Sequence, residues 1–261
     1  MITGWITSAS IPGIFLGTVV LALIACEAGY LIGRRRARLS KETPDSISAM
    51  VAGLLSMLAF ILALIFSITV SQFQTRNQNV VTEAAAVQSA YLLADLVATP
   101  QKLEMKRQLR RYIQVRLQVI QDRDLQTALS QSHEIYQLLW VHATAAAENK
   151  PDDITAMVVQ SIIEVISQGE QRKVAAVHSQ IPENVWYGLL VITLLSMVML
   201  GLQLGFYGKR RLVAVLPLNI AFAVLIALVV DLDRPQRGFI TVSQQAMVDV
   251  QTIMGTIDAA P

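Results

Sequence analysis

The densest group of charged residues stands beside the apolar part of the chain. Two aspartates and two arginines fall within 231–238, directly after a long apolar run, and an arginine and a glutamate follow another such run by a few residues. Opposite charges at a membrane interface can neutralise one another in a salt-bridged collar, or they can bind an ion at a pore mouth. The sequence alone does not decide between the collar and the pore mouth. The residues of this predicted collar or mouth are Arg76, Glu83, Asp231, Asp233, Arg234 and Arg237.

Glu27 lies inside the first apolar run, about two helical turns before a cluster of arginines that begins at Arg34. An ionised carboxylate at that depth is costly unless it is paired or hydrated, so its side chain should not face lipid. It either lines a pore or proton path, or reaches the basic loop and pairs there.

Other chemistry has little support. The chain has one cysteine, Cys26, and its three histidines, His133, His142 and His178, show no metal-ligand spacing. No phosphate-binding loop, nucleophile elbow or zinc-protease motif is present. We therefore expect neither an enzyme nor a cofactor or metal site, and a net charge of +2 gives no reason to expect a nucleic-acid partner.

Four apolar runs must position these residues. Hydrophobic residues make up 54% of the 261-residue chain and charged residues only 15%, too few to coat a soluble globule of this size. The runs cover about 11–33, 48–72, 185–207 and 212–231, and each is long enough to cross a bilayer as a helix. The sequence predicts an integral membrane protein with four transmembrane helices.

Orientation follows from the short loops, since basic residues mark the cytoplasmic side. Positions 34–47 carry five of them and positions 208–211 carry three, whereas residues 1–10 carry none. This pattern predicts that both termini and residues 73–184 lie outside the cytoplasm, and we expect a bacterial inner membrane.

The 73–184 region reads as helical throughout, because Gly169 is its only glycine and no stretch alternates as a strand would. The fold class predicted is an all-α membrane protein with a helical extramembrane domain between the second and third spans. The predicted organisation is a hairpin over 1–72, the domain over 73–184, a second hairpin over 185–231, and a polar turn with an amphipathic helix over 232–261.

Small residues recur every four positions in two of the runs, at Ala25, Gly29 and Gly33 and at Gly201 and Gly205. Such stripes let helix backbones approach closely, either within one chain or between subunits. Packing within the chain is the favoured use.

With these features in place, the chain resembles the bestrophin-like domain family of mostly bacterial four-span membrane proteins. The resemblance extends over nearly the whole chain. It is carried by 76–84 (Arg-Asn-Gln-Asn-Val-Val-Thr-Glu-Ala), 90–92 with Asp95, 109–112, 138–140 with Ala143, and 231–235 followed by Gly238 and 242–245.

The family name implies kinship with bestrophins, oligomeric anion channels whose second span lines the pore. The resemblance therefore implies a homo-oligomer, inorganic anions as ligands, and a pore along the second span. An apolar face there would form a constriction and hydroxyls a wet mouth. The pore-lining candidates are Leu58, Ile61, Ile65, Ser67 and Thr69.

A second hypothesis comes from a different class. The same four spans would serve a non-conducting protein whose external helical domain binds a partner or senses envelope conditions. The second span lacks a proline-broken apolar neck, and the predicted external domain differs from the cytosolic one of bestrophins. A symmetric ring with the second span at its axis separates the two hypotheses.

Overall fold

The structure is a computed structural model that describes residues 10–37, 44–122, 125–178, 181–208, 212–234 and 238–259. These residues form helices and connections and contain no strand, which confirms the all-α prediction. A single 3₁₀ turn, Ala94–Leu96, follows the second helix. The α-helices are α1 Ile11–Arg36, α2 Pro44–Leu93, α3 Gln101–Asp122, α4 Leu125–Asn149, α5 Asp153–His178, α6 Glu183–Tyr207, α7 Leu212–Asp233 and α8 Gln245–Ala259.

Four of these helices, α1, α2, α6 and α7, are long and apolar enough to cross a membrane, which confirms the predicted spans. Ser10 caps α1 by accepting a hydrogen bond from the Gly13 amide, and Arg34 to Arg36 occupy its last turn. Cations at a helix C-terminus interact favourably with its dipole. Helix α2 is 50 residues long and continues beyond its apolar segment.

The chain divides into two compact units. The membrane unit comprises Met1–Gln72 and Gln180–Ile240, and so includes the four spans. The extramembrane unit comprises Phe73–Ser179 and Thr241–Pro261. The C-terminal helix α8 thus belongs to the same unit as α3, α4, α5 and the second half of α2.

Close backbone packing joins α1 to α6 in the membrane unit. A Cβ added at Gly29 or Gly33 would collide with main-chain atoms of Val198 or Leu202, and one at Gly201 would collide with the Cys26 carbonyl. The two small-residue stripes therefore pack against each other within one chain, the use favoured by the sequence. Helix α1 also packs against α7.

The core of the extramembrane unit is built by five helices. Its centre includes Val87 and Tyr91 of α2, Leu109 of α3, Leu139 of α4 and Ile162 of α5, all essentially inaccessible to solvent. Helix α8 adds one apolar face to this core, with Met247, Val250 and Met254. Burial of this kind contributes about 25 cal/mol per Å² of apolar surface, so α8 is part of the domain's stability.

Candidate functional site

The predicted pore face of the second span lies mostly inside the subunit. Leu58, Ile65 and Thr69 are buried in the membrane unit, and the Thr69 hydroxyl donates to the Ile65 carbonyl over 2.8 Å. Ile61 is partly buried against the same apolar cluster. These four side chains therefore pack against the other spans of their own subunit, and only Ser67 of the five candidates is exposed.

A different face of α2 is exposed. Its positions recur every three or four residues, the period of a helix. Within the membrane unit they combine small, hydroxyl-bearing and bulky apolar side chains. The exposed residues of this segment are Ala52, Gly53, Ser56, Met57, Ala59, Phe60, Ala63, Leu64, Ser67, Ile68 and Ser71.

The spacing continues along α2 in the extramembrane unit, where Gln74, Gln78, Val81, Ala85, Ser89 and Leu92 are exposed, and the 3₁₀ turn that follows adds Leu96. Val81, Leu92 and Leu96 keep 45%, 45% and 58% of their surface accessible. Arg76 is the one charged residue between positions 47 and 82, and it is buried. We call the exposed positions from Ala52 to Leu96 the α2 stripe; it presents no charge to its surroundings along this segment.

Glu83 lies at the centre of a buried ionic network in the extramembrane unit. The Arg116 Nε lies 3.0 Å from one carboxylate oxygen, and the Tyr112 hydroxyl donates to the same oxygen. Arg172 Nη1 lies 2.5 Å from the other oxygen. Glu83 is fully buried, so its charge is balanced inside the domain and is not presented at a pore mouth.

The network extends to three further partners outside α2. Arg116 Nη2 donates to the Tyr136 hydroxyl and to the Gly169 carbonyl, both over 3.3 Å. Arg172 Nη2 donates to the Gln244 side chain over 2.7 Å, beside the start of α8. A Cβ on Gly169 would collide with both tyrosine hydroxyls, so the single glycine of the 73–184 region makes room for this network.

Burial sets the protonation of the two tyrosines. Loss of hydration, reinforced by the nearby Glu83 charge, raises the pKa of Tyr112 well above its usual value near 10. Loss of hydration also raises the pKa of Tyr136. Burial alone would lower the pKa of Arg116, but its contacts with Tyr112 and Glu83 outweigh this and raise it. The phenols are therefore neutral donors, and the network is one carboxylate between two guanidinium groups.

Tyr91 forms a second polar centre, between α2, α3 and α8. Its hydroxyl donates to Asp258 Oδ2 over 2.6 Å and accepts from Arg110 Nη2 over 2.6 Å. Arg110 also forms an ion pair with Asp258. Lys106 Nζ lies 4.6 Å from the centre of the Tyr91 ring, within range of a cation–π interaction, and 2.5 Å from Asp95.

The aspartates after the fourth span are satisfied by backbone amides of the membrane unit. Asp231 accepts from the Phe239 and Ile240 amides over 2.7 and 3.0 Å, and Asp233 accepts from the Ile181 amide over 3.1 Å. A Cβ on Gly238 would collide with the Asp231 carboxylate. Asp231 and Asp233 thus hold the turn after α7, and their assignment to a collar or an ion-binding mouth stays a prediction.

Arg234, Arg237 and Glu27 are the remaining candidate residues. Arg234 lies at the end of α7, and Arg237 lies outside the described residues. Glu27 is half-buried on α1, which leaves its assignment to a pore or proton path a prediction.

Asn219 of α7 is almost fully buried, and no described group bonds its amide oxygen or nitrogen. No group of three metal-ligating side chains occurs among the described residues.

Sequence reasoning missed Arg116, Arg172, Tyr112 and Tyr136. The partners lie 29 to 89 residues from Glu83, so no local spacing joins them. Two signals were available: the four-residue spacing of Tyr112 and Arg116 on one helical face, and the lone glycine at 169 within a helix.

These features define a class: an integral membrane protein with four spans and a helical extramembrane unit completed by its C-terminal helix. The Bestrophin-like domain family matches residues 19–247, nearly the whole chain. The protein therefore belongs to the bestrophin-like family, as its motifs indicate. Neither the curated proteins nor the solved structures yield a match to it.

Proposed function

We propose that this protein is a homo-oligomeric ion channel, selective for anions, whose subunits meet around an axis lined by the α2 stripe. The observation that carries the proposal is the stripe itself: a line of small and hydroxyl-bearing residues exposed on an otherwise apolar span. Hydroxyls on an outer face gain little from lipid, whereas they can line a water-filled path.

The extramembrane part of α2 supports oligomerisation. Val81, Leu92 and Leu96 are exposed apolar side chains at helical spacing outside the membrane segment. Their burial against the same helix of a neighbouring subunit would remove this apolar surface from water. In a closed symmetric ring each subunit contributes the same helix to the axis.

The absence of exposed carboxylates from the stripe and the presence of hydrogen-bond donors on it both favour anions. Between positions 47 and 82 it exposes no carboxylate, so no acidic ring would concentrate cations. The hydroxyls of Ser56 and Ser67 and the amide groups of Gln74 and Gln78 can donate hydrogen bonds to a passing anion. The kinship implied by the family name points to the same class of ion.

The pore residues proposed here are Ser56, Ala63, Ser67 and Ser71. They replace Leu58, Ile65 and Thr69, whose side chains are buried against their own subunit. Bulky neighbours such as Phe60 and Leu64 would supply the dry constriction.

Cysteine accessibility tests this arrangement in purified protein reconstituted in a planar bilayer, with Cys26→Ser as the background. We expect anion-selective currents, and a negatively charged, membrane-impermeant thiosulfonate should reduce them in Ser67→Cys. Leu195→Cys is the matched control, because Leu195 is an exposed residue of α6 that would face lipid. The proposal would be contradicted if a verified oligomer carried no current over a range of salts and pH values, or if the thiosulfonate inhibited both variants equally.

A cross-linking experiment tests the axis independently of conduction. Leu92→Cys should form a disulfide between subunits in the same background, whereas Val141→Cys, an exposed position on α4, should not. A protein that remains monomeric in several detergents and in lipid would refute the axis.

A further inference from the structure

A half-open groove lies between α3 and α8 in the extramembrane unit, beside the Tyr91 centre. Its volume is about 210 Å³, which suits a small molecule rather than a peptide. Its polar lining comes from Arg110, Gln114, Gln251 and Asp258, and Ile113 and Met254, both almost fully buried, lie beneath it. The groove therefore offers several hydrogen-bonding groups above a small apolar floor.

Several hydrogen-bond donors that line the groove have no acceptor among the described residues. Arg110 uses Nε and Nη2 on the Tyr91 hydroxyl and Asp258, and no described group accepts from its Nη1. The side-chain amides of Gln114 and Gln251 are exposed and likewise have no bonded partner in the described part of the chain. Three donor groups on one groove favour an acceptor with two oxygens.

The charge around the groove is positive. Lys102, Lys106 and Arg110 carry three positive charges, and Asp95 and Asp258 carry two negative charges, which leaves a net +1. Asp258 is engaged by Arg110 and Tyr91, so its charge is largely compensated at the groove wall. An anionic ligand fits this balance better than a cationic one.

Gly255 borders the groove on α8. A Cβ at this position would meet no atom within 4 Å, so a longer side chain here would extend into the open space of the groove. Gly255 is therefore a position at which a substitution can block the groove without displacing other atoms.

We propose that the groove between α3 and α8 binds a small organic carboxylate, with its oxygens on Arg110, Gln114 and Gln251 and its carbon chain in the open space at Gly255. None of its lining residues belongs to the α2 stripe. The site does not depend on the proposed channel function.

Equilibrium dialysis of the full chain in a non-ionic detergent, with radiolabelled butyrate at fixed ionic strength, tests the proposal. We expect saturable binding of one butyrate per chain with a dissociation constant on the order of millimolar, as suits a small ligand in an open groove. Gln114→Leu should weaken it several-fold. Gly255→Leu should abolish it while the melting temperature stays the same or rises, because the new side chain fills open space in a helix.

Gln118→Leu is the matched control: this glutamine is exposed on the same helix but does not line the groove, and its variant should bind as wild type. If no saturable binding is seen at butyrate concentrations up to roughly tenfold above the expected dissociation constant, the proposal is overturned. Binding that survives Gly255→Leu would overturn it too, as would competition by n-butanol or by chloride as strong as that by unlabelled butyrate. The dialysis experiment does not measure currents, so the binding proposal and the channel proposal can each fail independently of the other.

Discussion

The Tyr112 hydroxyl donates a hydrogen bond to the Glu83 carboxylate in the interior of the extramembrane unit, where Arg116 contacts the same oxygen. The two elements involved are the long second helix and α3. Since Glu83 is fully buried, every bond to it replaces one that water would make in the unfolded chain. The packing of α2 in this unit is thus tied to a single carboxylate.

Removing that charge should be costly. Glu83→Gln keeps the side chain's shape but leaves the buried Arg116 and the partly buried Arg172 without their counter-ion, so we expect a loss of about 3–5 kcal/mol in the free energy of unfolding. Denaturant unfolding of the full chain in detergent measures this. Glu134→Gln breaks an exposed pair with Arg111 and should cost no more than about 1 kcal/mol. Equal, small effects of both substitutions would show that the buried network contributes little.

The contact between α1 and α6 makes a prediction that discriminates between glycines of one helix. Gly201→Ala forces a methyl group into the Cys26 carbonyl, so we expect a destabilisation of about 1–3 kcal/mol. Gly188→Ala meets open space and should be neutral or stabilising by up to about 1 kcal/mol. Thermal unfolding in detergent, followed by circular dichroism, compares the two. A similar shift in both would mean that the backbones of α1 and α6 do not approach so closely.

The buried tyrosines should make the protein sensitive to alkaline pH. In the unfolded chain Tyr112 and Tyr136 lose their protons near pH 10, whereas in the folded chain burial raises both pKa values. Above pH 10 the folded state therefore holds more protons, and the free energy of unfolding should fall as pH rises. Below pH 10 both states keep these protons and neither residue contributes a pH dependence.

Spectrophotometric titration of tyrosinate, combined with unfolding curves at several pH values, checks this. Tyr112→Phe should remove one late-titrating group and flatten the alkaline loss of stability. If all six tyrosines titrate together near pH 10 in the folded protein, the two phenols are not buried as described.

The predicted orientation has its own test. In a Cys26→Ser background, Ser130→Cys should react with a membrane-impermeant maleimide added to intact spheroplasts, because the basic loops predict that the extramembrane unit lies outside the cytoplasm. Ser40→Cys, in the first basic loop, should not react until the membrane is permeabilised. The reverse labelling pattern would place the extramembrane unit in the cytosol.

Comparison with the sequence predictions shows which physical signals are local. The spans and the helical domain follow from length and apolarity, which need no partner. The contacts of Gly29 and Gly201 were predictable because small residues at four-residue spacing have few other uses in a membrane helix. Each of these features can be read from one segment at a time.

The candidate site was predicted less well, because its residues depend on other segments. Helix α2 is apolar on most of its circumference within the membrane, so periodicity does not say that Leu58 faces the bundle and Ser67 faces outward. Glu83 resembles a mouth residue because it follows the span, yet its partners Arg116 and Arg172 come from α3 and α5. Burial of a charge is set by those distant contacts.

The C-terminal helix has a consequence for biosynthesis. Met247, Val250 and Met254 complete the core of a domain whose other helices end at residue 178, and between them in the chain stand two membrane spans. During translation the domain's first four helices emerge long before α8 does, so their apolar face stays uncovered until the third and fourth spans have been made. Maturation of the domain must then wait until α8 itself has been synthesised and has left the ribosome.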